Sequence, residues 1–198
     1  MQPIDLIRKF AHLTPELEEA LNSVMVERRF RKGDTLRGKV NLTAYAYYII
    51  EGAARVYYTR KSKEHTFEFA FENEFIIVSP QLINRMGETV TIQFLEPATV
   101  IMMPHLQIKE LLQGSDAIDD AARLLFLNTA LIQYCSLLEE RAGVMQSLGA
   151  DERYRWILER YPRITECANA TQIASFLGIT KETLYRIKSG KYGHRKER

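Results

Sequence analysis

The chain has 198 residues, 46% of them hydrophobic and 26% charged, a balance that fits a folded chain of one medium unit and one small one. No run approaches the roughly 18 apolar residues of a membrane span, and the opening MQPIDLIRKF lacks a signal-peptide core, so a cytoplasmic location with no membrane partner is expected. Net charge is only +2, yet residues 151–198 hold eleven Lys or Arg against six Asp or Glu, a balance of +5 that leaves −3 for residues 1–150. Only the tail is suited to a polyanion.

The side chains that usually carry metal or redox chemistry are sparse. Cys135 and Cys167 lie far apart and match no metal spacing, so both are expected to be reduced thiols. His12, His65, His105 and His194 are scattered singly, with no two at ligand spacing. No metal or cofactor is expected, and a barrel enzyme of cupin type is disfavoured because His65 and His105 do not make a ligand cluster.

In chain order, Thr14 and Pro15 read as the cap and first position of a short helix to Val24, with Leu17, Leu21 and Val24 as its stripe. Strand text follows: Phe30 to Lys32, a turn at Gly33-Asp34, then Ala44 to Ile50 and Arg55 to Thr59 joined by Glu51-Gly52-Ala53. The tyrosines at 45, 47, 48, 57 and 58 read as strand residues on a half-buried face, with an aromatic stacking platform as the alternative. Thr66 to Glu72 alternates, placing Phe67, Phe69 and Phe71 on one face and Glu68 and Glu72 on the other. Phe75 to Val78, Thr89 to Leu95 and Thr99 to Met103 complete a series of short strands between turns. That series predicts an antiparallel barrel or jelly roll over residues 1–115.

Residues 116–148 form the next unit. From Asp116 to Leu148 there is no proline, and Ala117, Ala121, Leu124, Asn128, Leu131, Cys135, Leu138, Ala142 and Met145 recur at spacings of four and three. This is the seam of a coiled coil, predicting a parallel two-fold dimer in which Asn128 fixes the register and Cys135 is a small buried seam residue. A second row, Ile118, Ala122, Leu125 and Ile132, is expected to lie on the chain's own barrel. The alternative is that both rows face that barrel and no dimer forms. Gly143 to Ala150 is expected to be a hinge, after which Asp151 caps a helix to Arg160.

Residues 149–198 end in ATQIASFLGITKETLYRI, from Ala170 to Ile187. Ile173, Ala174 and Leu177 make one helical stripe, and Leu184 and Ile187 another. Between them Gly178 supplies the turn, and Thr180 caps a helix starting at Lys181. The pattern predicts a helix-turn-helix whose second helix enters a DNA major groove. From Lys181 to Arg198 seven basic residues face two acids, which favours DNA through counterion release. A helical hairpin with a solvated basic tail is the plain alternative.

The order barrel, long helix, helix-turn-helix resembles the Crp/Fnr family of bacterial transcription regulators. The likeness rests on KGD at Lys32 to Asp34, YYIIEGAARVYY at Tyr47 to Tyr58 and IASFLGITKETLYRI at Ile173 to Ile187. It implies an α+β protein with a cyclic-nucleotide-binding type of sensor unit, a dimer seam (Leu124, Asn128, Leu131, Cys135, Leu138) and partners in double-stranded DNA and RNA polymerase. It also implies that Lys181, Glu182 and Arg186 read base edges. Arg186 suits guanine, Glu182 suits the cytosine amino group, and Lys181 suits a guanine or a phosphate. Thr171, Thr180, Thr183, Lys188 and Lys191 are expected to hold phosphates.

The sensor half departs from the family's phosphate cassette. Where cyclic-nucleotide binders have Gly-Glu and then Arg-Ser/Thr-Ala, this chain has Ile77-Val78 and then Glu88-Thr89, with Arg85 three positions away. A carboxylate facing a phosphate is repulsive, which argues against a cyclic nucleotide and leaves an unknown effector or none. After Ser189 little text remains for the family's wing, so the wing is expected to be shortened or absent. The expected function is therefore a dimeric, non-enzymatic transcription regulator binding an inverted-repeat operator. The alternative is a ligand-binding or adaptor module without DNA binding.

Overall fold

The structure is a computed structural model that describes residues 3–8, 14–38, 42–86, 90–114 and 120–192. Helix α1 (Pro3–Arg8) precedes α2 (Pro15–Val24), where the Thr14 hydroxyl accepts from the Leu17 amide at 3.3 Å, as the sequence predicts. The strands are β1 (Val26–Phe30), β2 (Thr35–Arg37), β3 (Tyr45–Glu51), β4 (Ala54–Arg60), β5 (Lys63–Ala70), β6 (Phe75–Ile77), β7 (Thr91–Phe94) and β8 (Ala98–Pro104). They form two antiparallel sheets in the orders β1-β8-β3-β6 and β2-β7-β4-β5. First pairs with last and second with next to last, as in a hairpin wound upon itself.

The barrel expected from the strand pattern does not close among the described residues. Each sheet keeps two edges, and β2 and β6, three residues each, are too short to bridge to the other sheet. The inner faces meet instead in a sandwich core of Tyr47, Ile49, Val56, Ile76, Ile92, Phe94 and Val100, each fully buried. Burying such side chains contributes roughly 1.5–3 kcal/mol each, which sets the sheets face to face. Gly52 makes the β3–β4 turn with φ of +95°, and a Cβ there would lie 2.5 Å from the Pro97 carbonyl oxygen, so only glycine fits.

Two helices that the sequence pattern did not reveal, α3 (Pro80–Met86) and α4 (His105–Gly114), flank the sheets. The outer face of the first sheet buries Ala46, Tyr48, Ile101 and Met103 against Met25 and Ile108 of the helical layer. Tyr47, Tyr48 and Tyr57 are buried and Tyr45 and Tyr58 half-buried, so the tyrosines are packing residues.

The alternation of Phe67, Phe69 and Phe71 is broken by a bulge in the β4–β5 pairing between Val56 and Tyr57. Phe67 packs on the sandwich core, whereas Phe69 and Phe71 turn outward into a second core. That second core is completed by α6 (Ala150–Arg160), α7 (Ile164–Cys167), α8 (Ala170–Phe176) and α9 (Lys181–Lys188), through Tyr154, Ile157, Tyr161, Ile164, Phe176, Leu177 and Leu184.

Helix α5 (Asp120–Ser147) is the long helix; residues 116–119 of the predicted span lie outside the described residues. Its inward stripe is Tyr134, Leu137, Arg141 and Val144, whereas Ile132 of the second apolar row is 62% exposed and does not face this chain's sheets; the side chains of Ile118, Ala122 and Leu125 lie outside the described set. The described stripe includes a tyrosine and an arginine with long stems, which a search for aliphatic residues passes over. Along the predicted seam Asn128, Cys135 and Leu138 are exposed in the single chain, where a seam between two copies would leave them. The Leu124 and Leu131 side chains lie outside the described set.

Candidate nucleic-acid interface

Helices α8 and α9 are held in a fixed relation by their ends. Asn169 Oδ1 accepts from the Gln172 amide at 3.0 Å and Gln172 Oε1 accepts from the Asn169 amide at 2.9 Å, a reciprocal cap. Gly178, at φ +67°, reverses the chain so that the Ile179 amide donates to the Ala174 carbonyl at 3.0 Å. The Thr180 hydroxyl then accepts from the Thr183 amide at 3.1 Å and α9 begins at Lys181, as predicted. Leu184, fully buried, anchors α9 against α8 and α6.

Burying Leu184 turns the opposite face of α9 outward. Lys181, Glu182, Tyr185, Arg186 and Lys188 are exposed or partly so, and so are Thr171, Thr180 and Lys191. Thr183 differs: it is half-buried and its hydroxyl lies 3.0 Å from that of Thr180, so the pair forms one polar unit at the helix start. The Glu182 amide and the Thr180 hydroxyl hold the Glu182 carboxyl below its ordinary value. Two residues outside the predicted set complete the face. The Lys181 ammonium sits 5.6 Å from the Tyr185 ring and the Arg186 guanidinium 5.9 Å from that of Tyr192. Tyr185 is legible in the sequence as an aromatic one position past buried Leu184, off the apolar stripe.

Of the predicted degenerate cassette, Ile77 and Val78 are described. Ile77 is 37% exposed while Val78 is buried in the sandwich core, so the two point to different environments. Glu88 and Thr89 lie outside the described residues. Arg85 is exposed in the last turn of α3. Among the described residues no group of His, Cys, Asp or Glu could hold a metal ion, and no helix is long and apolar enough to cross a membrane.

The helical segment is fastened to the second sheet by polar contacts around the shared core. Ser175 Oγ accepts from the Thr66 amide at 3.0 Å and donates to the Glu64 carbonyl at 3.2 Å, covering the open edge of β5. Tyr161 donates its hydroxyl to the Phe69 carbonyl at 3.2 Å, Arg163 pairs with Glu72 and Glu96, and Arg160 pairs with Glu74. Arg153 donates to the carbonyls of Met145 (2.7 Å), Leu148 (3.0 Å) and Leu177 (3.2 Å), tying the end of α5 to the turn before α9. The expected hinge is thus bridged by one side chain. The expected cap of α6 shifts as well: the helix starts at Ala150, and Glu152 accepts from the Gly149 amide at 2.8 Å while Asp151 pairs with Arg155.

Glu68, on β5, lies within electrostatic reach of Tyr134 and Arg141 on α5. Burial pushes its carboxyl up to about 8, Arg141 opposes that rise and Glu74 adds to it. The same Arg141 guanidinium stacks over Phe176 of α8 at 4.4 Å, so this charge lies where sheet, long helix and α8 converge. Between the ordinary value of 4.5 and about 8 the folded chain keeps a proton that the unfolded chain has released. Stability therefore falls as pH rises across that window. Glu68→Gln is expected to flatten the fall, as read from urea midpoints at about pH 5, 7 and 9; an unchanged pH slope in the variant would contradict it.

A double antiparallel sheet followed by one long helix and a capped helix pair defines the class of architecture. Residues 27–115 match the model of the cyclic nucleotide-binding domain family. Most of the chain is similar in fold to solved Crp/Fnr-type regulators. FixK2 from Bradyrhizobium japonicum matches at 19% identity over 84% of each chain, with a TM-score of 0.63. A regulator of the crp/fnr family from Eubacterium rectale matches at 16% identity over 90% of this chain and 83% of that one, with a TM-score of 0.64. The c-di-GMP responsive global regulator CLP of Xanthomonas campestris matches at 16% identity over 89% and 91%, with a TM-score of 0.62. No curated protein matches the chain by sequence.

Proposed function

We propose that the chain is a sequence-specific DNA-binding transcription regulator of Crp/Fnr type, cytoplasmic and without catalytic activity. In this reading residues 1–115 are the sensor, 116–148 the dimerisation helix and 149–198 the DNA-binding domain. The observation that carries it is α9: a helix fixed by a cap and a buried Leu184, presenting Lys181, Glu182 and Arg186 together to solvent. Those three form the base-reading set, and Thr171, Thr180, Lys188 and Lys191 the phosphate set, with Thr183 acting through Thr180. The exposed Ile132, Cys135 and Leu138 of α5 support a homodimer, because apolar residues repeated along one helix are covered when two copies pair. A contact with RNA polymerase completes the function. Val78 packed into the sandwich core supports a sensor that does not hold a cyclic phosphate through Ile77-Val78 and Glu88-Thr89, so the effector is of another kind or absent.

Selection of bound duplexes from a random pool tests this reading. The expected product is an inverted repeat whose half-sites lie about one helical turn apart. A pool that stays random, or a motif without two-fold symmetry, would sink the dimeric regulator.

A further inference from the structure

The hairpin joining β4 to β5 has a tip that the base-reading assignment does not use. Arg60 pairs with Lys63 across a two-residue turn, Lys61-Ser62, whose φ values are +49° and +59°. Two-residue hairpin turns with both central residues at positive φ call for Asn-Gly or Asp-Gly. Lysine and serine there cost conformational energy. Arg60, Lys61 and Lys63 are exposed, and among the described residues none pairs with a carboxylate. The one neighbouring acid, Glu64, is engaged by buried Arg55.

The placement of this tip is fixed. Ser175, near the end of α8, bonds to Thr66 and Glu64 of the same strand, so Lys63 is the next residue beyond the contact. At about 3.4 Å per residue the tip projects a further 7 Å or so. Past Ser175 the chain turns at Gly178 and enters the first turn of α9, which carries Lys181 and Glu182. A recognition helix enters the groove by that end.

We propose that Arg60, Lys61 and Lys63 form a second phosphate-binding surface, supplied by the sheet unit and reaching the DNA backbone outside the half-site. The proposal rests on the reading that α9 enters the groove. It gives the β4–β5 hairpin the work of gripping flanking duplex, and it makes affinity depend on DNA the reading helix never touches.

The test compares the full chain with two variants, Arg60→Gln/Lys61→Gln/Lys63→Gln and Lys61→Asn/Ser62→Gly, on two duplexes. One duplex is the selected operator trimmed to its half-sites; the other carries about ten further base pairs on each side. Removing one phosphate-bound cation is expected to lower the slope of log affinity against log salt by about 0.9. On the flanked duplex the triple variant should show between two and three such decrements per protomer, and the turn variant one. On the trimmed duplex both should bind as the unaltered chain does. The turn variant should also unfold at higher urea, since its new pair suits the backbone. Equal slopes for all three proteins on the flanked duplex would overturn the proposal and leave the α9 reading intact, the outcome expected if the hairpin served an acidic protein partner. Equal decrements on both duplexes would also overturn it. Failure of the unaltered chain to bind either duplex would remove both readings together.

Discussion

Phe69→Ala is expected to destabilise the protein by about 3–5 kcal/mol, the usual range for deleting a buried phenyl ring. The ring is 2% exposed and lies 5.1 Å from Phe176 and 6.5 Å from Tyr161, centroid to centroid, so its removal opens a void between sheet and helices. The bulge that turns Phe69 outward is what places it in the shared core. Phe67, on the sandwich side and only half-buried, should cost less when truncated. Urea unfolding checks both variants. A destabilisation under about 1 kcal/mol for Phe69→Ala would mean that the helices hold to the sheet by their polar contacts alone.

Arg186→Ala is expected to weaken binding to the selected operator by about 1–3 kcal/mol and to relax the preference at one base pair in each half-site. The residue is exposed in the free chain, so the unfolding midpoint should stay where it is. Its approach to Tyr192 at 5.9 Å holds the guanidinium in front of the helix at little energetic cost, because an exposed cation over a ring gains only about 0.5–1 kcal/mol. Lys191→Ala serves as the contrast: without that ammonium on the phosphate backbone, binding to all sequences should weaken alike and the salt slope should fall by about 1. Binding measured on the operator, on single-base variants and on random duplex separates the two. Equal weakening by Arg186→Ala on specific and random DNA would remove it from the base-reading set.

Local rules made much of this legible. Thr14, Thr180 and Gly178 stand where cap and turn chemistry requires them, and the structure uses each as expected. Lys181, Glu182 and Arg186 are implied by the family resemblance, and the structure leaves all three exposed, the buried Leu184 setting the phase that turns Glu182 and Arg186 outward. What escaped was decided by tertiary contacts. A one-residue bulge sends Phe69 to a different core from Phe67, and no alternation rule detects a bulge. The stripe of α5 includes Tyr134 and Arg141, whose packing depends on the neighbours they meet. The covering of β5 by Ser175 joins positions more than a hundred residues apart, beyond the reach of any periodicity.

That covering has a consequence for any rearrangement of the molecule. β5 ends its sheet, and α8 covers its Thr66 amide, its Glu64 carbonyl and its outward Phe69 ring at once. A swing that lifted α8 clear would leave a bare, phenylalanine-bearing margin open to a second chain, the situation that seeds edge-to-edge aggregation. In the proposed dimer, repositioning of the two α9 helices would therefore be confined to a pivot that keeps α8 seated, and a fragment cut off before Ala150 would be a sticky one.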